Sequence, residues 1–377
     1  MAIITFIIGN GFDLRIGLNT RYTDFYKEYI ANKSNDNDLI QHFKKTILQD
    51  EELEWSNWSD FEIGMGRQSE FFKGNASDFL TCFDDFVTNF NEYLKNVCAS
   101  INWSFVNSAI IKEFVDSLIC FREYINSSDR NSLAQSVKCA QGGGGEINFL
   151  QLNYTDVFDE LIQKSSDQFI TCFKNPRKVR SYGITTIGKN LHIHGSIDQY
   201  PVIGVYDAEQ IYDEAIRNDI SVSKVFIKSN FLNTIQARNV NEKIPSNLAE
   251  DVIRRSTIIC IYGSSIGSTD KNWWKIIGDW LKKATSQLII FDRCGDDDDG
   301  ISPKQILKRE ENIENKKNQI LEQFYRLAEW QQEDITGNEK KIIVELDSQM
   351  FNFKLPIHNN SEILFNSQSE NGNTTET

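Results

Sequence analysis

An α/β fold, with a mostly parallel sheet and a large helical insertion after its first strand, is what this sequence predicts. Short apolar runs rich in Ile, Val and Phe recur along the chain, and segments of helical period separate most of them. One long stretch between the first two runs is almost wholly helical in pattern. Apolar runs bounded by glycine or polar turns suit strands covered on both faces, and their alternation with helices suits a parallel sheet of Rossmann-like type.

Strands are expected at Ile3–Ile8, Ile147–Leu152, Thr257–Tyr262, Gln287–Phe291 and Lys341–Leu346, with a weaker sixth at Asn190–Ile193. Between the first two, from Leu18 to Gln141, Phe79, Leu80, Phe83, Phe86, Val87, Phe90, Tyr93, Leu94 and Val97 recur at spacings of three and four, with Ser77 placed to cap the start. Ile110, Ile111, Phe114, Leu118 and Phe121 repeat the pattern, and such stripes read as core. Gly142–Gly145 is expected to be a flexible joint. A charged helix opened by a proline should run from Pro303 to Trp330. Its stripe of Ile306, Ile313, Ile320 and Leu327 is too thin for a coiled coil and is left to pack on the core or on a partner subunit, so a homo-oligomer stays open. Beyond Pro356 the Asn-, Ser- and Glu-rich end should be disordered. The division that follows is an α/β nucleotide-binding core over 1–17 and 142–358, a helical insertion over 18–141 and a tail over 359–377.

With 377 residues, 40% of them hydrophobic, the chain can bury a full core. A net charge of -14 repels polyphosphate, which argues against nucleic acid as a partner. The basic run Lys174–Arg180, interrupted by Pro176, and the acidic turn Asp296–Gly300 both read as solvated loops. Seven cysteines without a CxxC spacing suggest neither a disulfide framework nor a zinc ribbon, and no metal is expected. Met1–Ile8 lacks a basic leader and runs straight into a glycine turn, and no apolar run approaches the roughly 20 residues of a membrane helix. The expectation is a soluble, cytoplasmic protein with no membrane partner.

Chemistry gathers where strands end. Ile3–Ile8 runs into Gly9-Asn10-Gly11-Phe12-Asp13, where glycines let backbone approach a phosphate and a helix start adds partial positive charge. Leu14 stands where the dinucleotide fingerprint has its third glycine, and no acid ends a second strand about 20 residues on, which disfavours a hydride-transfer dehydrogenase. Leu152-Asn153-Tyr154-Thr155-Asp156 follows the second long strand, at the edge where open α/β sheets bind ligands. In Leu191-His192-Ile193-His194-Gly195-Ser196, alternation along a strand would turn both histidines to one side, where they could serve as bases, zinc ligands or core groups. Tyr262-Gly263-Ser264-Ser265-Ile266-Gly267-Ser268-Thr269-Asp270 is a second small-residue turn at a helix start.

The order GNGFD, GLNTRY, WSDFE (Trp58 to Glu62), LNYTD, HIHGS and YGSSIGSTD, from Ile8 to about Trp280, resembles the AbiH family of phage abortive-infection proteins. That family in turn is similar to sirtuin-like NAD-binding domains. The resemblance implies NAD as substrate, with Gly9, Asn10, Gly11, Asp13, Thr155, Asp156, His192, Gly263, Ser264 and Ser265 around it and Asn153 and His194 as catalytic residues. The zinc ribbon of deacetylating sirtuins is missing, so the implied activity is NAD cleavage to ADP-ribose and nicotinamide, held silent until a phage-derived trigger appears. Two other readings stand beside it. One is a nucleotide-sensing module without catalysis. The other is a metal-dependent nuclease in which Asp13, Asp60 and Glu62 hold the ion. Outside the nuclease reading, Trp58, Asp60 and Glu62 belong to the AbiH pattern without a sirtuin counterpart and have no assigned role, and Asp60 and Glu62 could simply start a helix.

Overall fold

A computed structural model describes residues 2–32, 37–49, 58–130, 133, 145–174, 184–199, 201–238, 245–295 and 303–358. Gly142 to Gly144, most of the basic run after Lys174, the acidic turn Asp296–Gly300 and the tail 359–377 lie outside the described residues, as do the side chains of Trp58 and Asp60.

Six strands, β1 (Ile3–Ile8), β2 (Gly145–Gln151), β3 (Ile184–His192), β4 (Ile258–Tyr262), β5 (Gln287–Asp292) and β6 (Ile342–Leu346), form one sheet in the order β3-β2-β1-β4-β5-β6. Every pairing is parallel, so all carboxyl ends reach one edge, and the order reverses between β1 and β4. Because successive residues of a strand point to opposite faces, each strand feeds two cores. Ile4, Phe6 and Ile8, Ile147 and Phe149, Ile258 and Cys260, and Ile289 and Phe291 join one cluster with Phe114, Leu118, Phe158 and Phe169 from the helices Ser108–Ile119, Val157–Lys164 and Ser166–Phe173. Ile7, Leu150, Ile259, Ile261, Leu288 and Ile290 face the other way, onto the helices Pro245–Arg255, Lys271–Leu281 and Pro303–Leu327. The long charged helix therefore packs on the core through Ile320, Phe324 and Leu327.

The insertion supplies the helices Tyr22–Ala31, Asp38–Gln49, Trp58–Gln68, Ala76–Ala99 and Ser108–Ile119. The first four build a third core, in which Tyr22, Phe25, Phe61, Phe86 and Phe90 meet Ile203, Val205, Phe226 and Ile227 from the β3–β4 connection. That connection thus packs with the insertion, although it follows β3 in the chain. The helix Ala76–Ala99 is capped by Asn75, whose side chain accepts from the Asp78 N–H, in place of the expected Ser77. Asparagine there keeps a non-helical backbone and reaches the first free N–H groups, while Ser77 is already inside the helix. No described helix is long and apolar enough to cross a membrane.

At the reversal point the β1 and β4 loops touch backbone to backbone. The Gly9 N–H donates to Tyr262 O at 2.9 Å and the Gly11 N–H to Gly263 O at 2.8 Å. A Cβ on Gly11 would stand 2.5 Å from Gly263 Cα, and one on Gly263, whose φ is +68°, 2.6 Å from Gly11 Cα. Gly263→Ala is accordingly expected to cost on the order of 2–4 kcal/mol from strained φ and overpacking together, read as a lower urea midpoint; an unchanged midpoint would show that the two loops are free to separate.

Candidate functional site

The glycine seam ties the β1 and β4 exits together. Because the Gly9 and Gly11 amides are spent on the β4 loop, the turn's glycines serve loop contact in this state instead of presenting those amides to a phosphate. Asn10 is also engaged: its amide donates to Thr20 O at 2.9 Å and its Oδ1 accepts from Thr20 Oγ1 at 2.6 Å, pinning the start of the insertion. Ser264 is half-buried and Ser265 exposed beside the seam.

Asp13, one turn into the helix Gly11–Arg15, is 0% exposed. Thr155 Oγ1 donates to its Oδ2 at 2.7 Å and Asn153 Nδ2 donates to Thr155 Oγ1 at 3.2 Å, while Asp13 Oδ1 has no partner. Segments 142 residues apart therefore meet at one carboxylate. Burial raises the Asp13 carboxyl from its ordinary 3.8 to about 6; the Thr155 hydrogen bond and the nearby Asn153 amide pull it down, and Asp156 pushes it further up.

The two histidines part company. His192 closes β3, and its Nε2 lies 2.9 Å from Asp159 Oδ2, with Nδ1 3.2 Å from Asn153 O. Burial works against the charge on His192, but the hydrogen bond and field of Asp159 outweigh it and raise the imidazole. Asp159 also accepts from Gln151 and Asn190, which together with His192 overcome burial and keep its carboxyl low. His194 lies past the end of the strand, where alternation no longer applies, and its Nε2 is 3.0 Å from Asp270 Oδ1. The expected common aim of His192 and His194 is thus replaced by two separate carboxylate partners.

Asp270 Oδ1 also lies 3.0 Å from Lys228 Nζ, and Lys228 Nζ donates to Glu62 Oε2 at 2.8 Å; the Gly204 N–H donates to Glu62 Oε1 at 3.1 Å. Burial would push the Asp270 carboxyl up, yet His194 and Lys228 hold it below its usual range. Burial likewise opposes the Lys228 charge, which Asp270 and Glu62 restore and raise. Glu62, with a single cation, is raised by burial. Asp159, Lys228 and Asp270 escaped the sequence reading, although Asp270 closes the YGSSIGSTD stretch.

Asn153 and His194 are each 4% exposed. Their side chains turn to different partners, Asn153 to Thr155 and His194 to Asp270, and the ring of Tyr154 lies 6.3 Å from that of His194. A backbone bond from the Ile197 N–H to Tyr154 O ties the β2 and β3 exits together, and one from the Val202 N–H to His194 O folds the β3 exit back on itself. A cavity of about 320 Å³ is lined by Lys95, Cys98, Trp103, Asp156, Glu160 and Ile197, of which Asp156 and Ile197 follow Asn153 and His194 by three residues. Of the three carboxylates in the nuclease reading, Glu62 is paired with Lys228 and Asp13 sits in the Thr155 cluster, while the side chain of Asp60 lies outside the described residues.

A family model described as "Bacteriophage abortive infection AbiH" matches residues 5–292, well over half of the chain, from within β1 to the end of β5. Among curated proteins none matches.

Since the folded Asp13 carboxyl stands above its unfolded value, its contribution to stability is complete below about 3.8 and is lost as pH rises through about 6. Asp13→Asn keeps an acceptor for Thr155 and removes that loss. The variant should match the parent near pH 4 and exceed it by about 3 kcal/mol at pH 8, measured by denaturant titration at both values; a pH-independent difference would mean that Asp13 is ionised throughout.

Proposed function

The chain belongs to the AbiH family of bacteriophage abortive-infection proteins, and from that premise we propose that it binds NAD at the carboxyl edge of its sheet and hydrolyses it to ADP-ribose and nicotinamide. The observation that carries this reading is the Asp13 cluster. A fully buried carboxylate keeps one oxygen without a donor, and Asn153 and Thr155 from the end of β2 converge on it beside the β1–β4 reversal. Open α/β sheets take ligands at that point, and a buried acceptor without a donor suits a ribose hydroxyl.

The reaction breaks the bond between the ribose anomeric carbon and the nicotinamide ring nitrogen. Nicotinamide leaves neutral with the bonding pair, and a water oxygen bonds to the same carbon. Its proton passes to His194, while Asn153 holds the water or the ribose hydroxyls, so the work is chiefly positioning away from bulk solvent. Asp270, which keeps its charge beside His194, stabilises the imidazolium that forms.

Both catalytic candidates are nearly covered, so the state described is closed, as suits an enzyme that would otherwise drain its own cell. Substrate reaches them when the crevice opens from the cavity side, where Asp156 and Ile197 stand three residues beyond Asn153 and His194. The same burial favours a second reading, in which the crevice binds the nucleotide and signals without turnover.

NAD in phage-infected cells expressing the parent, Asn153→Ala or His194→Ala separates these outcomes. Hydrolysis requires NAD to fall with the parent and the rate of loss to drop about 10²- to 10⁴-fold in His194→Ala. Equal loss in all three ends the assignment, and tight calorimetric binding of NAD with no product in any of them transfers it to the sensor.

A further inference from the structure

Glu62, Lys228, Asp270 and His194 come from four separate stretches of chain, and their side chains are 5%, 9%, 15% and 6% exposed. Two carboxylates share one ammonium, so the buried set is neutral only when it holds one more proton, on His194 or on Glu62. Glu62 is the member contributed by the insertion. Its helix, Trp58–Gln68, is fixed against the β3–β4 connection: Phe61 is 0% exposed, and a Cβ on Gly66 would stand 2.1 Å from Gln210 O.

From this geometry we propose that Asp270 and Lys228 are positioning residues for His194, and that Glu62 makes their placement depend on the docking of the helix Trp58–Gln68, so that the insertion regulates the site. The proposal rests on the reading in which His194 serves the reaction. If the helix withdraws, Lys228 loses one of its two carboxylates and turns wholly to Asp270. The oxygen that Lys228 and His194 now share, 3.0 Å from each, is then drawn toward the ammonium, and the imidazole loses its fixed partner. His192, held by Asp159, stands outside this chain of contacts.

Imidazole nitrogen resonances of the full-length protein test this without any substrate, with His194 assigned through His194→Gln. Glu62→Gln keeps the acceptor for Gly204 and removes the charge. It is expected to move the His194 signals, though Glu62 does not touch His194, and to leave those of His192 in place. Glu62→Asp, which keeps the charge on a shorter arm, should move them less. The double variant Glu62→Gln/Lys228→Met removes both opposite charges and safeguards the fold should Glu62→Gln alone be unstable; with no ammonium competing for Asp270 Oδ1, it leaves that oxygen to His194 and should move the signals opposite to Asp270→Asn, and signals that move the same way as in Asp270→Asn would overturn the proposal. His194 signals that stay put in folded Glu62→Gln, or His192 signals that move equally, would overturn the proposal. In infected cells Asp270→Asn should slow NAD loss about tenfold or more. If no form consumes NAD, the hydrolase reading fails while the resonances still decide the positioning claim.

Discussion

A charge taken out of water must be met by partners, and in this chain that constraint decides which loops touch. Asp13 draws in Thr155 and Asn153, Asp159 collects Gln151, Asn190 and His192, and Lys228 stands between Glu62 and Asp270. Each cluster joins segments far apart in sequence, and each lies at or just beyond the carboxyl ends of β1 to β4. Apolar packing builds the three cores, but it does not by itself select one arrangement of loops. Satisfying the buried carboxylates does, because a misplaced loop leaves a charge unpaired at a cost of several kcal/mol.

The parallel sheet supplies the geometry. With all six carboxyl ends on one edge and a reversal between β1 and β4, the exits of β1, β2, β3 and β4 form a row, and the glycines of the first and fourth allow backbones to meet at hydrogen-bonding distance. The insertion joins this row through Glu62 and the core it shares with the β3–β4 connection. The result is a set of buried polar side chains, Asp13, Asn153, Thr155, His194, Glu62 and Lys228, beyond the strand ends, and a cavity of about 320 Å³ is lined by Asp156 and Ile197 from the same exits.

Much of the architecture was legible locally. β1 is Ile3–Ile8 to the residue, and β4 and β5 fall within one residue of expectation, because buried strands are rich in Ile, Leu and Phe. β3 was caught only at its end, since it is an edge strand whose Thr185, Thr186 and Lys189 face solvent and hide the apolar signal. At the site, the glycine turns, Asn153 and His194 were visible as strand-end motifs. What those groups touch was not. The alternation that should have aligned His192 with His194 stops at His192, and nothing near Lys228 in the sequence marks it as the bridge between Glu62 and Asp270, because ion pairs between distant segments leave no local pattern.

A structure of the chain bound to a hydrolysis-resistant NAD analogue tests the central claim most directly. The account places the nicotinamide ribose between the side chains of Asn153 and His194, with a ribose hydroxyl on Asp13 Oδ1 and the phosphates toward Ser264 and Ser265. An analogue seated elsewhere, or a crevice unchanged at saturating analogue with Asp13 Oδ1 still bare, would contradict it.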